Sequence, residues 1–236
     1  GFRTTSGGGY LQDDDVSAAI IYATDMGADI INMSWGSSYY SPIIADACQY
    51  AYDRGVILVA SSGNDPGPYI SYPAKLSTVL SVGSVDRTKS LSSFSSYGPE
   101  LDIVAPGSQV ISTYSMEGDS DGYAELSGTS MAAPYAAGII GLLISQRPGI
   151  SFDELKTMIY STTEPLPLNT VSANGFNQQY GYGLINAYNL LSTYTSPNIS
   201  ITFPYEEMGL SSSFTIKGKI NIEDFYSEKL IHNPIQ

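Results

Sequence analysis

The sequence predicts an α/β fold built on a mostly parallel sheet, and three observations carry that expectation. Segments 29–34, 56–60, 79–85 and 103–104 are short apolar runs without polar alternation, as expected of strands covered on both faces. Helical patterns stand between and around them, with Val16, Ala19, Ile20 and Ala23 recurring at helical spacing before Gly27. Residues 131–144 are apolar nearly all round, so that helix must be central rather than peripheral.

Each element has its own local logic. Asp13-Asp14-Asp15 opens the first helix, where carboxylates favour the positive end of the dipole; a cation site there is the alternative. Ser41-Pro42 offers a cap and a first-turn proline for a helix running to Arg54, before Gly55. In the central helix Ala132, Ala133, Ala136, Ala137, Gly138 and Gly141 let neighbouring backbones approach closely, and Pro134 is expected to be tolerated near the first turn. Ser151-Phe152-Asp153-Glu154 is a capping box for a helix through Ser161, and a last helix is expected over 184–191. After Ser196-Pro197 the pattern becomes strand and turn. The expected division is therefore 1–195 as one α/β domain and 196–236 as a β-rich tail, either the opening of an immunoglobulin-like domain or strands packed on the first unit.

Composition narrows the function. Hydrophobic residues make up 42% and charged residues 14%, enough apolar material for a sizeable core. Acidic residues outnumber basic ones, for a net charge of −13, which argues against nucleic acid as a partner. No apolar run reaches the roughly 18 residues of a membrane span, and no signal-peptide pattern opens the chain. Cys48 is the only cysteine and lies in an apolar helical stretch, so a buried core thiol is expected.

The strongest chemical signal is Gly128-Thr129-Ser130-Met131-Ala132-Ala133-Pro134, immediately before the central helix. A hydroxyl at a helix N-terminus has backbone N–H groups and the dipole to favour developing negative charge, although serine also serves simply as a cap. With Asp29-Ile30-Ile31-Asn32-Met33-Ser34-Trp35-Gly36, Ala60-Ser61-Ser62-Gly63-Asn64, Phe94-Ser95-Ser96-Tyr97-Gly98 through Ala105-Pro106-Gly107, and Gly181-Tyr182-Gly183-Leu184-Ile185-Asn186-Ala187, this string resembles the subtilase family of serine peptidases, over roughly 10–191.

The resemblance implies a three-layer subtilisin-like fold, incomplete at its N-terminus, and a polypeptide substrate. Ser130 would attack the scissile carbonyl and form an acyl-enzyme, with the Asn64 amide and the Ser130 N–H as oxyanion donors. Substrate backbone would pair along Ser34, Trp35 and Gly36. Ser61, Ser62 and Gly63 would line the first specificity pocket, with Asp65 near its rim. No cofactor is required for the chemistry. A structural calcium is implied at the carbonyls of Ala74, Leu76 and Val79 with the carboxylates of Glu100 and Asp102. Asp119-Ser120-Asp121-Gly122 has a calcium-loop look but reads better as a turn.

The sequence departs from the family in one respect. Its single histidine, His232, lies in the tail and lacks the glycine-rich surroundings of a catalytic base; Tyr135 follows Pro134, where the family often has a non-catalytic histidine. No aspartate sits in the family's first motif. The chain is therefore expected to be a secreted or cell-surface endopeptidase's C-terminal part, nearly inert alone and dependent on an N-terminal part or second chain supplying His and Asp. The alternative is a non-catalytic binding or structural module. An α/β-hydrolase reading fails because Ala132 stands where Gly-x-Ser-x-Gly needs its last glycine.

Overall fold

A computed structural model describes residues 12–114, 122–164, 166 and 175–192. Contacts divide the chain after Ser192. The expected β-rich tail, His232 and residues 119–121 lie outside the described residues.

Four parallel strands form the centre: β1 (Ile30–Met33), β2 (Ile57–Ser61), β3 (Val79–Val85) and β4 (Ile103–Pro106), in that spatial order. Their side chains alternate between two cores, as the period of two in a strand requires. Leu58, Ala60, Val79 and Val104 face one core, while Ile57, Val59, Leu80, Val82, Ile103 and Ala105 face the other. Helices α1 (Asp13–Asp25) and α2 (Pro42–Tyr52) cover the first face. The second is covered by α3 (Thr129–Gln146), α4 (Phe152–Thr162) and α5 (Ala187–Ser192). The result is the three-layer α/β arrangement that the buried apolar runs imply.

The departures are local. Strands β2, β3 and β4 follow one another without intervening helices, through loops 62–78 and 86–102. An antiparallel pair, β5 (Val110–Thr113) and β6 (Tyr123–Leu126), stands apart from the main sheet; its residues are mostly exposed, Ile111, Tyr123 and Leu126 among them, and strands of four residues are too short to show a clear period in the sequence. Leu184 and Ile185 do not begin a helix. Leu184 bridges Val104 and Glu164, extending the sheet beside β4, and the helix waits until Asn186, whose Oδ1 accepts the Asn189 N–H at 2.9 Å. At Ser151 the hydroxyl accepts from Glu154 N at 3.2 Å, as the capping box predicts, whereas the Ser41 hydroxyl makes no cap bond.

Pro134 sits six residues into α3 rather than in its first turn. A proline there has no N–H to give to the carbonyl four residues earlier, which is that of Ser130. That carbonyl needs another donor, and the site supplies one.

Cys48 is fully buried in α2, and burial pushes its thiol from 9.0 up to about 12. Since the thiolate is the nucleophile, iodoacetamide at pH 8 should leave the native chain unmodified and label it stoichiometrically in urea. The folded thiol also holds its proton where the unfolded one loses it, so unfolding releases a proton at alkaline pH. Stability should therefore decline as pH rises from about 9 toward 12, and a Cys48→Ala variant should lose that component of the decline.

Candidate active site

The N-terminus of α3 meets the C-terminal ends of β1 and β2, the edge of a parallel sheet where function collects. Ser130 is the second residue of α3 and is partly buried. Its Oγ donates to the Ser34 carbonyl at 3.2 Å, and the Ser34 Oγ donates back to the Ser130 carbonyl at 2.8 Å. The second bond answers the vacancy made by Pro134. The proline frees the Ser130 carbonyl from the helix, and the hydroxyl that ends β1 takes its place as donor. Asn32 Nδ2 donates in turn to Ser34 Oγ at 2.9 Å.

Asn64 follows β2 across a turn that requires glycine. Gly63 has φ +120°, and a Cβ there would lie 2.6 Å from Ser71 Oγ and 2.8 Å from Ser96 Oγ. The Asn64 amide is oriented by Thr129, whose backbone N–H and side-chain hydroxyl both donate to Asn64 Oδ1 at 2.9 Å. Thr129 Oγ1 also accepts the Gly63 N–H at 3.2 Å. With the oxygen doubly occupied, the amide N–H₂ end is fixed as the outward donor. A methyl group at Gly128 would lie 3.4 Å from Asn64 Nδ2 and 3.6 Å from the Ser130 nitrogen, so both nitrogens border the space that Gly128 leaves open. Being in the first turn, the Ser130 N–H has no intrahelical acceptor of the regular i−4 kind.

Trp35 and Gly36 follow Ser34, and Gly36 packs against Ser71 and Tyr72. Ser37 and Tyr72 exchange backbone hydrogen bonds at 2.9 and 2.8 Å. Ser61 and Ser62 are buried. The Ser62 hydroxyl donates to the Ser96 carbonyl at 3.0 Å, so it is Gly63 and the backbone, more than these hydroxyls, that border the surface. Asp65 is exposed, and its N–H donates to Ser96 Oγ at 3.2 Å.

These observations fall into place beside known proteins. Residues 1–183 match the model of the Subtilase family. The chain belongs to that family. This subtilase is 44% identical over 181 residues to the halolysin-like extracellular serine protease Nep of Natrialba magadii, covering 77% of this chain and 31% of that protein. It is 39% identical over 175 residues to subtilisin DY of Bacillus licheniformis, covering 72% and 60% respectively. The chain thus spans about a third to three fifths of the length of these relatives. Among solved structures, sphericase superposes with a TM-score of 0.67 at 30% identity over 75% of this chain and 64% of that one. A lanthipeptide protease superposes with a TM-score of 0.71 at 26% identity over 81% and 68%.

The implied calcium cage does not fit the residues present. Asp102 Oδ2 accepts the Ser81 N–H at 2.8 Å, while Oδ1 accepts Tyr160 Oη and lies 2.7 Å from Lys156 Nζ. Glu100 pairs with Lys75 at 3.3 Å. The Leu76 carbonyl accepts the Val79 N–H at 3.0 Å. Each carboxylate is already paired with an ammonium group, Glu100 with Lys75 and Asp102 with Lys156. Burial and the neighbouring Asp102 charge push the Tyr160 phenol well above its ordinary range, so it remains a donor to Asp102 at any working pH.

The roles of Thr129 and Ser34 are not visible in the sequence as bonds. Thr129 is at least adjacent to the serine that drew attention, whereas the Ser34 hydroxyl is 96 residues away from the carbonyl it satisfies. Ser34→Ala should leave the Ser130 carbonyl without its donor. We expect a loss of about 1–3 kcal/mol, read as a lowered urea midpoint at unchanged m. Ser34→Thr, which keeps a hydroxyl, should recover most of it.

Proposed function

We propose that this chain carries the nucleophile half of a secreted serine endopeptidase, with Ser130 as nucleophile and Asn64 as oxyanion donor. The observation that supports this most is the amide of Asn64, held by two hydrogen bonds from Thr129 so that its nitrogen borders the same space as the Ser130 nitrogen. A serine serving only as a helix cap has no use for such a donor.

In the proposed reaction Ser130 Oγ attacks the carbonyl carbon of a peptide bond, and the carbonyl oxygen takes the negative charge between the Asn64 amide and the Ser130 N–H. The C–N bond then breaks, the amine leaves with a proton, and water hydrolyses the ester. Substrate backbone would lie along Ser34, Trp35 and Gly36, with Gly63 and its neighbours shaping the first side-chain pocket and Asp65 at the rim. The proton lost by Ser130 needs a base. The described residues contain no histidine, and the Ser130 hydroxyl donates to a main-chain carbonyl, which is no base. We therefore infer that an imidazole and its carboxylate partner come from a part outside this sequence, whether N-terminal or on a second chain. Secretion is supported by the extracellular relative from Natrialba magadii; no described helix is long and apolar enough to cross a membrane. A second reading, a non-catalytic module, draws its support from that same engaged hydroxyl.

Intact-mass analysis after treatment with a fluorophosphonate separates the readings. The chain alone should stay unmodified, and adding a family N-terminal part with its Asp and His should produce one adduct, at Ser130. Labelling of the chain alone would sink the missing-base inference, and no labelling in either state would favour the non-catalytic module. In the reconstituted enzyme Asn64→Ala should lower kcat by about 10²–10³, the loss found in subtilisin, a member of this family, on removing this kind of donor.

A further inference from the structure

Asp102 immediately precedes β4, and its carboxylate is largely withdrawn from water, with a side chain 10% exposed. Three donors meet it from two other elements. Ser81 of β3 gives its N–H to Oδ2 at 2.8 Å, and Tyr160 of α4 gives its hydroxyl to Oδ1. Lys156, one turn earlier on α4, brings its ammonium within 2.7 Å of the same Oδ1. The backbone of Asp102 is engaged as well, its N–H with the Ser81 carbonyl at 3.2 Å and its carbonyl with the Tyr182 N–H at 2.8 Å. Tyr182 stacks on Tyr160, with ring centroids 3.7 Å apart. One residue thus joins β3, β4, α4 and the 180–182 segment.

We infer that the Lys156 ammonium is the built-in cation of this junction. It stands in for the divalent ion that the family resemblance implies, so the junction holds without calcium, and a metal site opens only when that charge is removed. A buried carboxylate needs a counter-charge, and here the chain supplies it. Lys156 is itself held in place: its side chain is 22% exposed, and Nζ lies 5.3 and 5.7 Å from the ring centroids of Phe152 and Tyr160, near enough for both rings to attract it. Calcium binds oxygen at about 2.3–2.6 Å, so an ion would have to share Oδ1 with an ammonium already 2.7 Å away. Two positive charges so close repel each other. Lys75 and Glu100, with side chains 40% and 34% exposed, form a looser pair that water screens. An open cavity of about 580 Å³, lined by Glu100, Asp102, Lys156 and Tyr160 among others, gives a hydrated ion a route to the carboxylate once the lysine head group is gone. The two arrangements differ in thermodynamics too. An ion taken from solution stabilises by an amount that grows with its concentration, and a chelator removes that contribution. A tethered ammonium contributes equally at every calcium concentration.

Urea unfolding of the full chain, in calcium and in EDTA at matched ionic strength, tests this without any turnover. Lys156→Gln should lower the midpoint, and calcium should raise it again by more than it raises the wild type. Half of that extra rise should come at about 10⁻⁴–10⁻³ M calcium, the range of weak extracellular sites. It should vanish in the double variant Lys156→Gln/Asp102→Asn, and Lys156→Arg should respond as the wild type does. Terbium, excited through Tyr160 and Tyr182, gives a second readout: Lys156→Gln should gain a saturable luminescence, displaced by calcium, that the wild type lacks. In the chain with Lys156 intact, Asp102→Asn should leave the response to calcium unchanged, a comparison that needs no lysine variant to fold. A wild-type calcium response that Asp102→Asn removes would overturn the inference. So would a Lys156→Gln variant that gains nothing from calcium beyond the wild type, whether it stays folded or stays unfolded throughout.

Discussion

Everything at the site depends on how the first turn of α3 is seated against the ends of β1 and β2. Although its sequence is apolar all round, α3 buries one face against the sheet and leaves Tyr135 and Leu142 on the other exposed, and seating its N-terminus creates a demand for hydrogen-bond partners. The Thr129 N–H is answered by Asn64 Oδ1, and the Ser130 carbonyl that Pro134 frees is answered by Ser34. Ser34 and Ser130 exchange hydroxyl-to-carbonyl bonds, and Thr129 gives both its N–H and its hydroxyl to Asn64. The contacts that satisfy the buried helix end are the same ones that orient the serine and the amide. Stability and chemical preorganisation are one set of bonds here.

Pro134 shows how closely the two are joined. A proline in the second turn of a helix ordinarily costs a hydrogen bond and bends the chain. In this helix the freed carbonyl belongs to the proposed nucleophile, Ser130, and the compensating donor comes from the strand proposed to bind substrate. The irregularity in the helix ties two functional segments, 96 residues apart, at a distance of 2.8 Å.

Much of this was legible in the sequence because the signals are short-range or periodic. Strands β1 to β4 declared themselves by apolar runs, and α3 by its apolar stretch, although Tyr135 and Leu142 stay exposed, so the helix is not covered all round as its sequence suggested. The Gly128–Pro134 string placed Ser130 at the start of the helix, and the family resemblance singled out Asn64 after a strand end. What stayed hidden depends on tertiary neighbours. Leu184 and Ile185 look as apolar as any helix start, yet Val104 pairs with them. The family resemblance implies a cation at Glu100 and Asp102, but Lys75 and Lys156 approach from other segments and pair with them. The strands of the β5–β6 pair are too short to show a clear period.

One residue of another loop, Ser96, makes four hydrogen bonds to the turn between β2 and Asp65. Ser96 gives its N–H to the Gly63 carbonyl, takes the Ser62 hydroxyl on its own carbonyl, and uses its side chain for both the N–H and the carbonyl of Asp65. The shape of this turn is consequently templated from outside, and the Asp65 side chain contributes nothing to it. The molecule separates a die from its stamp. Because Ser62, Gly63 and Ser96 hold the backbone that presents it, a change of sign or size at position 65 leaves the bonds that shape the turn in place.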